Sequence, residues 1–149
     1  MGKSTSEIEN EIEKAVSWDD LKNVIKENQK ERQTFGGRLE ELCKTYGIAI
    51  QKLQIDLEVK FAVSRASFYA AKNGSRNPKK ETVIKIAFAM GITAEELNEL
   101  LKLAKHKELY AKNKEDAVIL FGIKNKKRIE EIDQVLRSVG SKMQLIYEE

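Results

Sequence analysis

Cysteine, histidine and proline each occur once in this chain of 149 residues. One cysteine excludes an intrachain disulfide, and one cysteine with one distant histidine provides neither a zinc-ligand set nor a Cys–His catalytic pair. A single proline leaves few sites where a helix must break. Long apolar runs are absent, which excludes a membrane-spanning helix, and no secretory signal pattern opens the chain. These absences predict a cytoplasmic protein.

Catalytic signals are equally scarce. Cys43 shares a helical face with apolar residues, so we expect a buried structural thiol. His106 lies between two lysines and is expected at a solvated helix end. Glu95-Glu96 and Glu130-Glu131 are neighbours in sequence only, because adjacent residues on a helix point in different directions. No glycine-rich phosphate loop follows a strand. The sequence therefore predicts no enzyme, no metal and no cofactor.

Helical spacing of apolar residues runs through the chain, and alternating strand patterns are lacking. Ser17, with Asp20 three residues on, and Thr93, with Glu96 three residues on, are typical of helix N-termini. Hydrophobic residues make up 41% of the chain, enough for a real core. The fold class predicted is all-α, a compact helical bundle.

Charge divides the chain into three blocks, although the net charge is only +3. Residues 1–34 carry six basic and eight acidic side chains, and residues 93–149 carry eleven of each. Residues 35–92 carry ten basic side chains against five acidic ones, an excess of +5. A local basic excess is the electrostatic footprint of a phosphate-binding surface, or a chance cluster of exposed lysines.

The run from Val63 to Pro78 has the pattern of a short, outward-facing helix with its exit loop. Ser64 can cap the helix, and Phe68 and Ala71 fall on its inward face. Asn73-Gly74 is suited to the left-handed conformation that ends a helix, and Asn77-Pro78 to the start of the next. Such a helix on a compact frame is a candidate DNA reader.

Around this run, spaced motifs resemble the lambda-repressor-like (Xre-type) helix-turn-helix domain. The resemblance covers about residues 35–104 and rests on four motifs: Phe35-Gly36-x-Arg38-Leu39-x-x-Leu42, Val63-Ser64-Arg65, Asn73-Gly74-x-Arg76-x-Pro78 and Val83-x-x-Ile86-Ala87-x-Ala89-x-Gly91. It implies a five-helix core at 35–104, preceded by an acidic helical extension at 1–34. A C-terminal helical extension at 105–149 would pack on that core.

The resemblance also implies a DNA-binding site. The third helix of the core, at about 64–72, would enter the major groove. Gln54, near the start of the second helix, and Arg76, in the loop after the reader, occupy positions that bind phosphate in this family. Tyr69 can contact phosphate or anchor a protein partner. The candidate DNA-binding residues are Gln54, Ser64, Arg65, Ser67, Tyr69, Lys72 and Arg76.

Three departures from the family pattern affect the helix-turn-helix unit. The stretch from Gly47 to Val63 is about four residues longer than usual, so that the first helix extends or the following link loops out. Glu58 replaces a small residue and must reach solvent or force the two helices apart. Ala62 replaces the turn glycine, where a left-handed conformation is mildly strained.

Two functions are consistent with these features. The first is a sequence-specific DNA-binding transcriptional regulator, bacterial or phage-borne, whose partner is double-stranded DNA. The second is a protein-interaction module built on a repurposed helix-turn-helix frame, with a protein partner and weak or no DNA binding. In either case, the C-terminal helices can pair with a second copy to form a homodimer. The basic run at 124–128 is expected to be a solvated turn or a contact to flanking nucleic acid.

Overall fold

The computed structural model describes residues 5–30, of which 26–30 as backbone only, and residues 33–146. Every regular element in these ranges is an α-helix, which confirms the all-α prediction. The chain divides into two compact units, Met1–Gln33 and Thr34–Glu149. The first unit contains α1 (Thr5–Lys14) and α2 (Trp18–Lys30). The described helices of the second unit are α3 (Phe35–Tyr46), α4 (Ile50–Phe61), α5 (Arg65–Asn73), α6 (Lys80–Met90), α7 (Ala94–Leu103), α8 (Lys114–Lys124) and α9 (Ile129–Ser138).

The first unit is a pair of packed amphipathic helices. The predicted cap at Ser17 is present, because its Oγ accepts from the Asp20 amide at 3.1 Å. Asp20 in turn accepts from the amide of Val16 at 3.2 Å. None of the residues of α1 is buried, and Trp18 at the start of α2 is 79% exposed.

In the second unit, α3 to α7 surround one apolar core. Helix α3 packs on α5 and α7, and α6 packs on α4 and α7. Leu39, Leu57, Phe68 and Leu97 are fully buried. The capping box predicted at Thr93 is present, with Thr93 Oγ1 accepting from the Glu96 amide and Glu96 accepting from the Thr93 amide. The core therefore follows from the apolar spacing and caps of the sequence.

Helices α8 and α9 pack against each other, and their inward residues join the same core. Ile119, Leu136 and Leu145 have no exposed surface. Asp116, 4% exposed, accepts from Lys80 Nζ of α6 at 2.8 Å and from the Tyr110 amide at 2.9 Å. This carboxylate ties α8 to the rest of the unit.

Two local expectations were wrong. Helix α6 begins at Lys80 and not at Asn77-Pro78, because the Asn77 side chain donates to the Ala104 carbonyl at 2.6 Å and is used in a tertiary contact. His106 lies 28 residues along the chain from Pro78, yet its Nε2 is 2.7 Å from the Pro78 carbonyl oxygen. It is therefore part of the link between two loops, not a solvated helix end.

The longer stretch from Gly47 to Val63 is accommodated in neither of the two expected ways. Helix α3 ends at Tyr46, with Gly47 as a left-handed cap, and only residues 47–49 separate it from α4. Helix α4 itself has 12 residues and takes up the length.

Candidate nucleic-acid interface

The turn between α4 and α5 is tight and well anchored. Ala62 has φ 56° and ψ 32°, the left-handed conformation anticipated at this position. The amides of Ala62 and Val63 both donate to the Leu57 carbonyl, and the Val63 side chain is 5% exposed. The turn thus fixes where α5 begins relative to α4.

Ser64 caps α5. Its Oγ accepts from the Ser67 amide at 3.1 Å and donates to Ser67 Oγ at 2.9 Å. The Ser67 side chain is exposed, so its hydroxyl can also bond to a group outside the protein. Ser64 thus positions the first turn of the helix, and Ser67 presents an exposed hydroxyl.

The inward face of α5 is formed by Phe68, 0% exposed, and Ala71, 4% exposed. Tyr69 stands edge-on to Phe68, with ring centroids 5.2 Å apart, and is half-buried. The Arg65 guanidinium lies 5.7 Å from the centroid of the Tyr69 ring, a cation–π distance. Tyr69 therefore supports Arg65 at the edge of the outward face.

The centre of the outward face is made of two alanines. Ala66 is exposed and Ala70 half-buried, and both are two residues from the inward Phe68. They line a concave depression of about 270 Å³ together with Ser67, Ser75 and Arg76. From the sequence, Ala66 and Ala70 count against base recognition, because neither offers a hydrogen bond to a base edge. Their spacing from Phe68 was the signal that places them outward.

The loop after α5 forms one wall of this depression. The Arg76 amide donates to the Ala70 carbonyl at 3.2 Å, and Ser75 Oγ donates to the same oxygen at 3.3 Å. Arg76 itself is exposed. In the described part of the chain, neither Arg65 nor Arg76 forms an ion pair with a carboxylate. Both guanidinium groups are therefore available to an anion.

Two of the candidate residues, Lys72 and Gln54, interact with carboxylate side chains of the same chain. Lys72 Nζ is 2.7 Å from Glu40 Oε1 of α3, and the hydrogen bond and charge of Lys72 lower the pKa of the Glu40 carboxyl. Gln54 is 7% exposed and donates through Nε2 to Glu58 at 2.9 Å. Glu58 itself is exposed, so its carboxylate reaches solvent while α4 and α5 remain packed. Gln54 and Lys72 are thus each engaged by a carboxylate of the same chain.

The remaining chemical signals fall outside this face. Cys43 is 2% exposed, and burial raises the pKa of its thiol, as a structural residue requires. The basic run lies between α8 and α9, where Arg128 is 3.7 Å from Glu130. Across residues 5–30 and 33–146, no cluster of metal-ligating side chains is found. No helix in those ranges is long and apolar enough to cross a membrane.

The fold and face define an all-α protein that presents a capped, exposed helix after a tight turn. The chain is similar to the 26 kDa repressor protein of Escherichia phage HK022, with 35% identity over 66 residues. The match covers 44% of this chain and spans only 28% of the length of that repressor. No protein-family model and no solved structure matches the chain. The similarity supports a repressor-like helix-turn-helix relationship.

Proposed function

We propose that this protein is a sequence-specific DNA-binding transcriptional regulator in which α5 enters the major groove. The observation that carries the proposal is the exposed face of α5, bordered by two unpaired guanidinium groups, Arg65 and Arg76. The major groove of B-DNA is wide enough to admit an α-helix, and arginine is the side chain that most often reads guanine there. The similarity to a phage repressor and the +5 charge of residues 35–92 support the same function.

The contacts divide into two groups. Arg76, the Ser67 hydroxyl and the free backbone N–H groups at the start of α5 face phosphate oxygens and set the orientation. Arg65 reads a base edge, and the Tyr69 ring holds its guanidinium. Ser64, Lys72 and Gln54 act as positioning residues, since each is engaged with a neighbouring side chain. A cytoplasmic location and a bacterial or phage origin accord with this function.

Selection from a library of randomised duplexes, followed by fluorescence anisotropy, tests this proposal. We expect a preferred site bound at least about a thousandfold more tightly than random duplex at physiological salt. Arg65→Ala should cost about 1–3 kcal/mol at the preferred site and relax the preference at one base pair. Arg76→Ala should weaken binding to all sequences and reduce the salt slope by about 1.

Lys112→Ala provides the control, because it removes one exposed positive charge from the segment between α7 and α8. It should leave the base preference unchanged. Recovery of no preferred sequence, with equal losses for all three variants, would rule out readout by α5.

A second function is favoured by the outer face of α4. Ile55 is 56% exposed and Val59, one turn on, is 71% exposed, an apolar pair next to the charged Glu58. A protein-interaction module would use this pair, or Tyr69, to anchor a partner. Ile55→Ser with Val59→Ser should then abolish a stoichiometric protein complex while the fold is retained. Tight DNA binding that is unaffected by this double substitution would reject the alternative.

The homodimer belongs to the proposal as well. Phe121 of α8, Val135 of α9 and Val139, directly after α9, are 60%, 46% and 38% exposed, and a second copy would cover them. A dimer would present two reader helices to a palindromic site about one helical turn apart.

A further inference from the structure

We propose that the centre of α5 recognises thymine through its C5-methyl group, using Ala66 and Ala70 as an apolar contact surface. This inference rests on the proposed function and names the base chemistry that the face accepts. It follows from the apolar methyl groups at the centre of the exposed face of α5, and from the lack of hydrogen-bonding side chains at Ala66 and Ala70.

Helical geometry places the two alanines together. With about 100° per residue, Ala66 and Ala70 lie about 40° apart around the axis and each about 160° from the buried Phe68. They are also separated by about 6 Å along the axis, less than twice the 3.4 Å rise of B-DNA. Two β-methyl groups thus face outward over neighbouring base pairs.

Ala66 and Ala70 line one part of the depression between α5 and the loop. Ser67, Ser75 and Arg76 line the rest of it. The two hydrogen bonds to the Ala70 carbonyl, from the Arg76 amide and the Ser75 hydroxyl, hold the loop against the helix. A base edge that lies over the two alanines meets their carbon atoms, with Ser67, Ser75 and Arg76 beside it.

Among the four bases, thymine alone carries an apolar group on its major-groove edge. A guanine O6 or a cytosine amino group pressed against two methyl groups would lose its water without gaining a partner, which is costly. Alanine is also small enough for the helix to approach the base edges closely. The same contact discriminates against RNA, because uracil lacks the methyl group and the deep groove of A-form RNA excludes a helix.

The test replaces single thymines by uracil in the site recovered by the library selection, which removes only the methyl group and leaves the protein unaltered. At one or two positions we expect the affinity to fall about fourfold per methyl, the loss of one buried methyl contact. Uracil in the flanking positions should have no effect. Replacement of Ala66 by Gly should abolish the uracil penalty at one position, whereas Ala94→Gly, in α7, should leave it intact.

The outcomes separate this inference from the proposed function. If the protein binds a preferred site and every uracil substitution leaves the affinity unchanged, the methyl readout is wrong and the function stands. If no DNA is bound with any preference, the proposed function fails and this inference fails with it.

Discussion

Ala62 turns the chain from α4 into α5 in a conformation that crowds its Cβ atom against the backbone. For alanine this costs about 1–2 kcal/mol, and glycine pays no such penalty. Glycine also gains freedom in the unfolded state, which costs about 0.4–1 kcal/mol. We therefore expect Ala62→Gly to raise the free energy of unfolding by about 0.5–1 kcal/mol, as measured by urea denaturation.

The comparison for this substitution is Ala70→Gly, within α5. There the backbone is helical, so glycine should lower the stability by about 1 kcal/mol. Equal losses for the two variants would show that the turn carries no strain.

Gly36 is a second position at which the surrounding backbone limits the size of the side chain. A Cβ atom built here would lie 1.9 Å from the backbone oxygen of Lys72, near the end of α5. Backbone cannot move aside as a flexible side chain can, so the two helices would have to separate. We predict that Gly36→Ala destabilises the protein by about 1–3 kcal/mol in thermal or urea unfolding, the usual cost of overpacking.

Gly37 is the matched control for this prediction. Its Cβ atom would meet only the Thr34 side chain, at 3.1 Å. The higher helix propensity of alanine offsets that contact, so Gly37→Ala should stay within about 0.5 kcal/mol of the wild type. A wild-type stability for Gly36→Ala would contradict the close approach of α3 and α5.

Between elements, the buried Asp116 is the main polar connection of α8 to the core. Its carboxylate accepts from Lys80 and from the Tyr110 amide. Asp116→Ala leaves both donors without this acceptor, and we expect a loss of about 3 kcal/mol in the free energy of unfolding. The neighbouring Glu115→Ala should cost no more than about 0.5 kcal/mol. Similar effects of the two substitutions would show that Asp116 is not the connection.

At this scale, the sequence predicts elements better than the contacts between them. Helical spacing and the Thr93 capping box depend on residues three or four apart, and the structure confirms both. The pairs Lys72–Glu40 and Asn77–Ala104 join residues 32 and 27 positions apart. No local pattern encodes such pairs, so the sequence predicts neither the ion pair of Lys72 nor the tertiary hydrogen bond of Asn77.

For the molecule as a whole, the predicted division at residues 104 and 105 separates segments that share one core. Ala104, Leu109, Ile119 and Leu145 belong to the same buried cluster as the residues of α3 to α7. The boundary therefore marks where the resemblance to the helix-turn-helix domain ends, whereas the apolar core continues beyond it. The resemblance covers only the first part of this core, and the sequence predicts residues 105–149 as a helical extension that packs on it, without naming the residues that join the shared cluster.

At the scale of the whole molecule, the apolar surface of α8 and α9 is the candidate interface for self-association. A cleft of about 320 Å³ between these helices is lined by Phe121, Val135 and other apolar residues, with Lys127 and Glu131 beside them. In a two-fold dimer the same surface of each subunit faces the other. Lys127 of one subunit can then pair with Glu131 of the other, because the surface carries charges of both signs. These features favour a second copy as the occupant.

We predict that Phe121→Ser weakens self-association at least about tenfold, measured by sedimentation equilibrium. The dimer interface would bury two Phe121 rings that are exposed in the monomer, and the substitution removes both. Val59→Ser removes an apolar side chain of similar exposure from α4 and should leave the association constant unchanged. With the dimer weakened, binding to a palindromic DNA site should fall more than binding to one half-site, since only the former uses two linked reader helices. A wild-type protein that stays monomeric at all concentrations, with or without DNA, would refute the dimer and leave each α5 to act alone.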